Sequence, residues 1–384
     1  MNKTGWGIYA HIPYCVKKCA YCDFVSAANG NAAEMEDYAA ALAAEILREA
    51  PPLRARWGDV TTVYLGGGTP TALPAALLTQ ILDTVHEAAG EPLECTVEVN
   101  PGTVDEAYLT QLRAAGVSRL SLGVQSFEDR LLRVIGRIHT AEEARAAFRA
   151  ARHAGFTNIS LDLMYALPTQ TLDGLKQSVE DAIELSPAHI SVYGLIVEEG
   201  TPFAAAEAAG RLALPDEEAA EEMYDYLMAE LPARGYRRYE ISNFARAGCE
   251  SRHNLGYWQN VPYLGVGVAA HSYVDGVRWG NETDTRRYIR AMRAGADVRT
   301  PEDTERTAAN AMEEYAFLAL RTAEGIDTAD FYRTFGVSID DVYSNVIAAY
   351  IDRRLLRRTQ GHIALTAAGM KLGNEVFAAF LQEK

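Results

Sequence analysis

No apolar run in the 384-residue sequence approaches the ~20 residues a helix needs to cross a bilayer. The first eight residues, MNKTGWGI, lack the apolar core of a secretory signal, so a cytoplasmic chain without stable membrane insertion is expected. Positive charge is also scarce. With 36 basic against 52 acidic residues and a net charge of -16, the chain has no phosphate-neutralising surface for duplex nucleic acid. The same imbalance discourages docking on anionic lipid. Cysteines number five, too few for a disulfide scaffold, and in a reducing compartment a tight group of them reads as metal-binding or catalytic. Internal repeats, low-complexity segments, a P-loop lysine and a G-x-G-x-x-G turn are all missing. What remains is ordinary globular chemistry, 48% hydrophobic and 23% charged, long enough for one large domain and a small one.

From Gly7 to about Gly194, short β-rich apolar runs alternate with amphipathic stretches. GIYAHI precedes 34–50, VTTVYLGGG precedes 74–89, and ECTVEV precedes 105–115. VSRLSLGV leads into helical stretches at 128–135 and 141–154, FTNISLDLMY into 173–185, and HISVYGL closes the series as a sixth strand. Six βα units predict an α/β fold with a parallel sheet and right-handed crossovers, curled into either an open doubly wound sheet or a partial barrel. In both, ligands gather at the carboxyl ends of the strands. Polar and glycine residues stand there in this chain: Cys15, Gly66 to Thr69, Glu98, Asn100, Gln125, Asp162 and Tyr193.

Beyond the sixth strand, 214–235 reads as a long helix, followed by an aromatic-rich stretch that contains HNLGYWQNVPYLGVGVAAHSYVDGVRW. Near residue 300 the pattern turns helical: 303–322, TADFYRTFG, 339–353, and then RLLRRTQGHIALTAAG as a two-stranded wing. The expected division is 1–200 for the βα series, 201–300 for a barrel extension, and 301–384 for a helical, winged-helix-like C-terminal domain. Only RRLLRR at 353–358 is basic, which favours a packing role for that domain over DNA binding.

Cys15, Cys19 and Cys22 form the pattern C-x-x-x-C-x-x-C immediately after the first strand. Three thiolates do not complete a four-coordinate zinc site, for which His11 is the nominal fourth ligand. An iron-sulfur cubane held by three cysteines leaves one iron open to a substrate or cofactor, and the loose spacing and strand context favour it. GGGTPT, at 66–71, follows the second strand; its glycines let backbone approach a ligand and turn N–H groups toward a carboxylate or amine edge. Cys95 and Cys249 stand alone and read as small buried hydrophobes.

YAHIPYCVKKCAYC, with YLGGGTPT downstream, resembles the radical S-adenosylmethionine (SAM) superfamily. The resemblance implies a partial (β/α)6 barrel, a 4Fe-4S cluster on Cys15, Cys19 and Cys22, SAM on the open iron, and an electron donor. It also implies that Gly67, Gly68 and Thr69 hold the methionine portion of SAM. Tyr9 beside the cluster, Tyr21 within its loop, Glu98, Gln125, Arg137 and Asp162 match the same family at the mouth of the barrel. Glu98 and Asp162 suit ribose hydroxyls or the SAM ammonium, and Arg137 suits its carboxylate.

The whole chain, from Tyr9 to GNEVFAAFL, further resembles the group that contains the oxygen-independent coproporphyrinogen III oxidases and their heme-chaperone relatives. Phe24 stands where the oxidase pattern C-x-x-x-C-x-x-C-x-C has a further cysteine, and eight residues precede Tyr9 where the oxidases carry a substantial extension. These departures, together with HNLGYW at 253–258, resemble the heme-chaperone branch. Heme is then an implied ligand, with His253 as axial ligand, Tyr257 and Trp258 against the macrocycle, and His271 as a pocket wall. The implied partners are heme and heme-acceptor proteins such as respiratory enzymes. The alternative is an oxidase that uses the radical to decarboxylate the propionates of coproporphyrinogen III.

Overall fold

The computed structural model describes residues 5–28, 30–301 and 307–381. β1 (Gly7–Ile12) runs into a two-residue ladder in which β2 (Tyr14–Cys15) pairs with β3 (Ala27–Ala28) and closes off the cysteine loop. The remaining parallel strands are β4 (Thr62–Gly67), β5 (Glu94–Val99), β6 (Arg119–Gln125), β7 (Asn158–Tyr165) and β8 (His189–Gly194). Between them run α1 (Ala32–Trp57), α2 (Ala75–Ala89), α3 (Glu106–Ala114), α4 (Asp129–Val134), α5 (Ala141–His153) and α6 (Leu172–Glu184). The six expected strands are thus all present. They hydrogen-bond in the order β1-β4-β5-β6-β7-β8, so every crossover steps the same way, and successive helices pack side by side on one face. A doubly wound sheet reverses its strand order at a switch point; this one does not, and the fold is a partial barrel.

Parallel strands covered on both faces usually read as continuous apolar runs. Here each strand alternates. Val63, Leu65, Val97, Leu120, Leu122, Ile159, Leu161 and Ile190 belong to the apolar core shared with the helices. The intervening positions are polar: Thr62 and Tyr64, Glu94 and Glu98, Arg119 and Ser121, Ser160 and Asp162, His189 and Ser191. Because successive strand side chains point to opposite faces, the barrel interior is built from hydroxyls, carboxylates, imidazoles and one guanidinium.

After β8 come α7 (Pro202–Ala208), α8 (Glu217–Ala233), β9 (Arg237–Arg238), β10 (Asn243–Ala245) and α9 (Arg252–Trp258), with β10 and β9 extending the β8 edge antiparallel. The chain then returns to the far edge, where β11 (Tyr263–Val266) pairs parallel with β1. Outside β11 lie β12 (His271–Val274), β13 (Val277–Asn281) and, after α10 (Thr285–Arg293), β14 (Arg299–Pro301). Among the described residues these strands make one twelve-stranded sheet. Buried Glu45 on α1 fixes the added edge: its carboxylate accepts from the Tyr288 hydroxyl (2.6 Å), the Gly267 N–H (2.7 Å) and Asn281 Nδ2 (2.8 Å).

The C-terminal region follows the expected helix, helix, helix and wing: α11 (Ala308–Ala319), β15 (Ile326–Asp327), α12 (Thr328–Phe335), α13 (Ile339–Asp352), β16 (Leu356–Thr359) and β17 (His362–Leu365). The expected start of the first helix at 303–306 lies outside the described residues. A second apolar core, from Tyr315 to Phe380, holds this region together. Within RRLLRR, Arg353 pairs with Glu375, Arg358 with Asp340, and Arg357 donates to the Leu365 and Ala323 carbonyls, so this basic stretch is spent on packing. The Arg321 guanidinium lies over Phe317 (4.4 Å), Phe377 (5.2 Å) and, from α9, Trp258 (5.2 Å), tying this core to α9. No helix among the described residues is long and apolar enough to cross a membrane.

Candidate functional site

A cavity of about 390 Å³ opens at the carboxyl ends of the parallel strands, with the cysteine loop on its rim. Cys15, Cys19, Cys22, Tyr21, Gly67, Gly68, Thr69, Glu98, Gln125, Arg137 and Asp162 all line it. The loop is held from below by α4: the Ala20 N–H donates to the Ile135 carbonyl (3.0 Å), and Tyr21 packs on a group that includes Leu131, Leu132 and Ile135. Arg137, just past that helix, donates through Nη1 to Cys19 Sγ (3.7 Å) and through Nη2 to the Gly123 carbonyl. Cys15 Sγ lies 3.6 Å from the Thr69 hydroxyl.

These side chains do not assemble a single-ion zinc site. Zinc needs its ligands within about 2.3 Å of one point, and among the described residues no three His, Cys, Asp or Glu side chains converge that way. His11, the nominal zinc partner, is already used: Nε2 is hydrogen-bonded to the Val25 carbonyl (2.8 Å) and Nδ1 to the Tyr9 hydroxyl (3.1 Å). It clamps the end of the cysteine loop.

The glycine run is where the structure departs from the expected contacts. The N–H groups of Gly67, Gly68 and Thr69 are all consumed internally, by Glu98 Oε2 (3.2 Å), the Ile12 carbonyl (2.9 Å) and the Tyr14 carbonyl (2.7 Å). They are therefore not free donors for a ligand, and the Thr69 carbonyl accepts from the Ala72 N–H (2.9 Å). The glycines are needed for closeness. A Cβ on Gly67, whose φ is +111°, would lie 2.5 Å from the His11 ring, and one on Gly68 would lie 2.8 Å from the Tyr14 carbonyl oxygen.

Deeper in, the Tyr64 hydroxyl donates to Glu98 Oε1 (2.8 Å). Withdrawal from water, reinforced by the nearby Asp162 carboxylate, pushes the Glu98 carboxyl up to about 7 despite that bond. Asp162 is also raised by burial, while Ser121 (3.0 Å) and Ser160 (3.1 Å) donate to it. Gln125 ends β6 at a register shift with φ +67°, a left-handed conformation unusual for a non-glycine residue, and lines the cavity from there.

Two predicted residues sit behind the cavity. The Tyr9 ring stacks on Tyr64 at 6.2 Å, with its hydroxyl turned to His11. His253, on α9, stacks on the other side of Tyr64 at 5.2 Å and is only 3% exposed. Its Nδ1 is hydrogen-bonded to the Thr62 hydroxyl (2.9 Å) and its Nε2 to the Tyr257 hydroxyl (2.9 Å). Burial lowers its pKa to about 3. In this conformation His253 presents no nitrogen to an iron, because packing against β4 has turned the HNLGYW motif inward. His271 lies at the start of β12, and Trp258 packs under Arg321.

Sequence reasoning missed Arg119, which is 1% exposed at the floor of the cavity, with Nε and Nη1 lacking partners among the described residues. It also missed Tyr64, Ser121, Ser160 and Ser191. The signal that would have found them is the polar residue at every second strand position.

With this geometry in hand, comparison with known proteins becomes informative. The radical SAM superfamily pattern matches residues 9–182, and the HemN C-terminal domain pattern matches 307–372. A heme chaperone HemW from Bacillus subtilis is 41% identical, covering 98% of this chain and 99% of its own length. The chain belongs to the HemW family. Another HemW, from Escherichia coli, is 34% identical over 98% of both chains. Among solved structures, coproporphyrinogen III oxidase HemN from Escherichia coli superposes with a TM-score of 0.84 at 23% identity, over 99% of this chain and 91% of its own, a likeness of fold. Membership of HemW, within the radical SAM superfamily, implies a 4Fe-4S cluster and SAM.

Proposed function

We propose that this chain is a cytoplasmic heme chaperone that holds a 4Fe-4S cluster and SAM at the barrel mouth and passes heme to acceptor proteins, respiratory enzymes among them. The observation that carries this reading is full-length kinship, at 34 to 41% identity, with proteins named heme chaperone. The site chemistry supports the cofactor part. Cys15, Cys19 and Cys22 are the cluster ligands, and Arg137 and Thr69 orient two of those sulfurs by contact with Cys19 and Cys15. Gly67, Gly68 and Thr69 hold the methionine portion of SAM, while Arg137, whose buried Nε has no partner among the described residues, takes its carboxylate. Glu98 and Asp162 accept from ribose hydroxyls, Gln125 and Tyr21 wall the pocket, and Tyr9 braces Tyr64 from behind. When bound, the cluster supplies single electrons toward the SAM sulfonium, and an external donor replenishes them.

The deciding experiment uses anaerobically reconstituted protein with SAM, reductant and coproporphyrinogen III, in parallel with hemin and an apo-acceptor. Hemin binding and transfer without porphyrinogen turnover is the expected result. Protoporphyrinogen accumulating over many turnovers would instead establish an oxidase.

A further inference from the structure

With the cluster and SAM held in the cavity interior, and His253 closed off beneath it, the cargo needs another surface. The rim stays open. Phe24, in the position that distinguishes this chain from the oxidase pattern, is 60% exposed and lines the mouth; Val16 on the same loop is 51% exposed, and Tyr193 across the opening is 40% exposed. Together these side chains leave apolar surface open around the cavity mouth. Beside it stand Lys17 and Lys18, two of only six lysines in a chain of net charge -16. Lys18 Nζ donates to the Phe24 carbonyl at 2.9 Å, so the cation and the ring are presented together. Asp23 is the one acidic residue on the loop.

We propose that heme docks on this rim, with its macrocycle against Phe24 and its propionates on Lys17 and Lys18. Iron porphyrin is a flat apolar plate with two carboxylates on one edge, and an exposed aromatic flanked by paired ammonium groups complements both features. The proposal rests on the heme-chaperone reading. It places the cargo over the cluster site, outside the cavity interior.

The test titrates hemin and hemin dimethyl ester into full-length, cluster-reconstituted protein with SAM present, following the Soret band. Phe24→Ser is expected to weaken hemin binding about tenfold, as loss of one anchoring aromatic does. The double variant Lys17→Ala and Lys18→Ala should weaken hemin by about the same factor and abolish the preference for hemin over its ester. Val277→Ser, an exposed apolar residue on β13, should leave affinity unchanged. Cluster absorbance at the wild-type level shows that the loop is intact. Saturable wild-type binding that both rim variants retain in full would overturn the rim site and leave the chaperone reading standing. Equal wild-type affinity for hemin and its ester would also overturn it, without relying on any variant. Absence of saturable hemin binding by the wild type would remove both.

Discussion

Glu98 holds its carboxylate between a tyrosine hydroxyl and a backbone N–H, yet its proton is retained to about pH 7 instead of the usual 4.5. Between those values the folded chain keeps a proton that the unfolded chain has released. Stability of the ligand-free protein therefore falls as pH rises through that window, and above pH 7 the full cost of a charged Glu98 is present. Glu98→Gln is expected to raise unfolding stability at pH 8 by about 2 kcal/mol or less, cavity water offsetting part of the burial cost, and to change little at pH 4. Urea denaturation at the two pH values checks it; equal effects at both would show that the carboxylate is not strained. The types of these residues were legible in the sequence, but their partners were not. HNLGYW reads equally as an open imidazole or a packed one, and only the stack Tyr9, Tyr64, His253 decides, since it joins residues about 190 positions apart.

At the level of elements, the six parallel strands were legible because each is a short apolar run bounded by glycine or polar residues. The edges were not. β11 returns to β1 after some 250 residues, and its place depends on the carboxylate of Glu45, which in the sequence is one acidic residue among many on an amphipathic helix. Glu45→Ala takes the acceptor from the buried Tyr288 hydroxyl and Gly267 N–H, while Asn281 Nδ2 keeps the Gly267 carbonyl. It is expected to cost about 3 kcal/mol or more of unfolding free energy, whereas exposed Glu36 on the same helix should tolerate alanine. Denaturant titration of both variants distinguishes them, and comparable small losses would show that the clamp is dispensable. The cysteine loop is likewise secured by neighbours that no local pattern reveals, since α4 and His11 fix its two ends.

Across the whole molecule, the C-terminal core is joined to α9 where Arg321 lies among Phe317, Phe377 and Trp258. A short antiparallel contact between Glu240 and Thr322, and the Ala323 N–H bond to the Tyr239 carbonyl (2.9 Å), lie alongside. Arg321→Ala should weaken this junction by about 1 to 2 kcal/mol. In hydrogen exchange, α11 to α13 are expected to lose protection while α1 to α3 keep theirs. A uniform loss across the chain would mean that the arginine supports the global fold instead. The helical tail and its wing were legible from the sequence; this junction was not, because an arginine among aromatics is indistinguishable in sequence from one facing water.

The alternation along β4 to β8 also decides where variation can accumulate. Residues on the outward row answer to the helices, and a change there threatens the existence of the sheet. Those on the inward row answer to whatever enters the barrel, and a hydroxyl exchanged for an amide on that row alters what is welcome while the outward row keeps the plate intact. Kin of this chain can therefore drift in ligand preference along one row and remain superposable along the other.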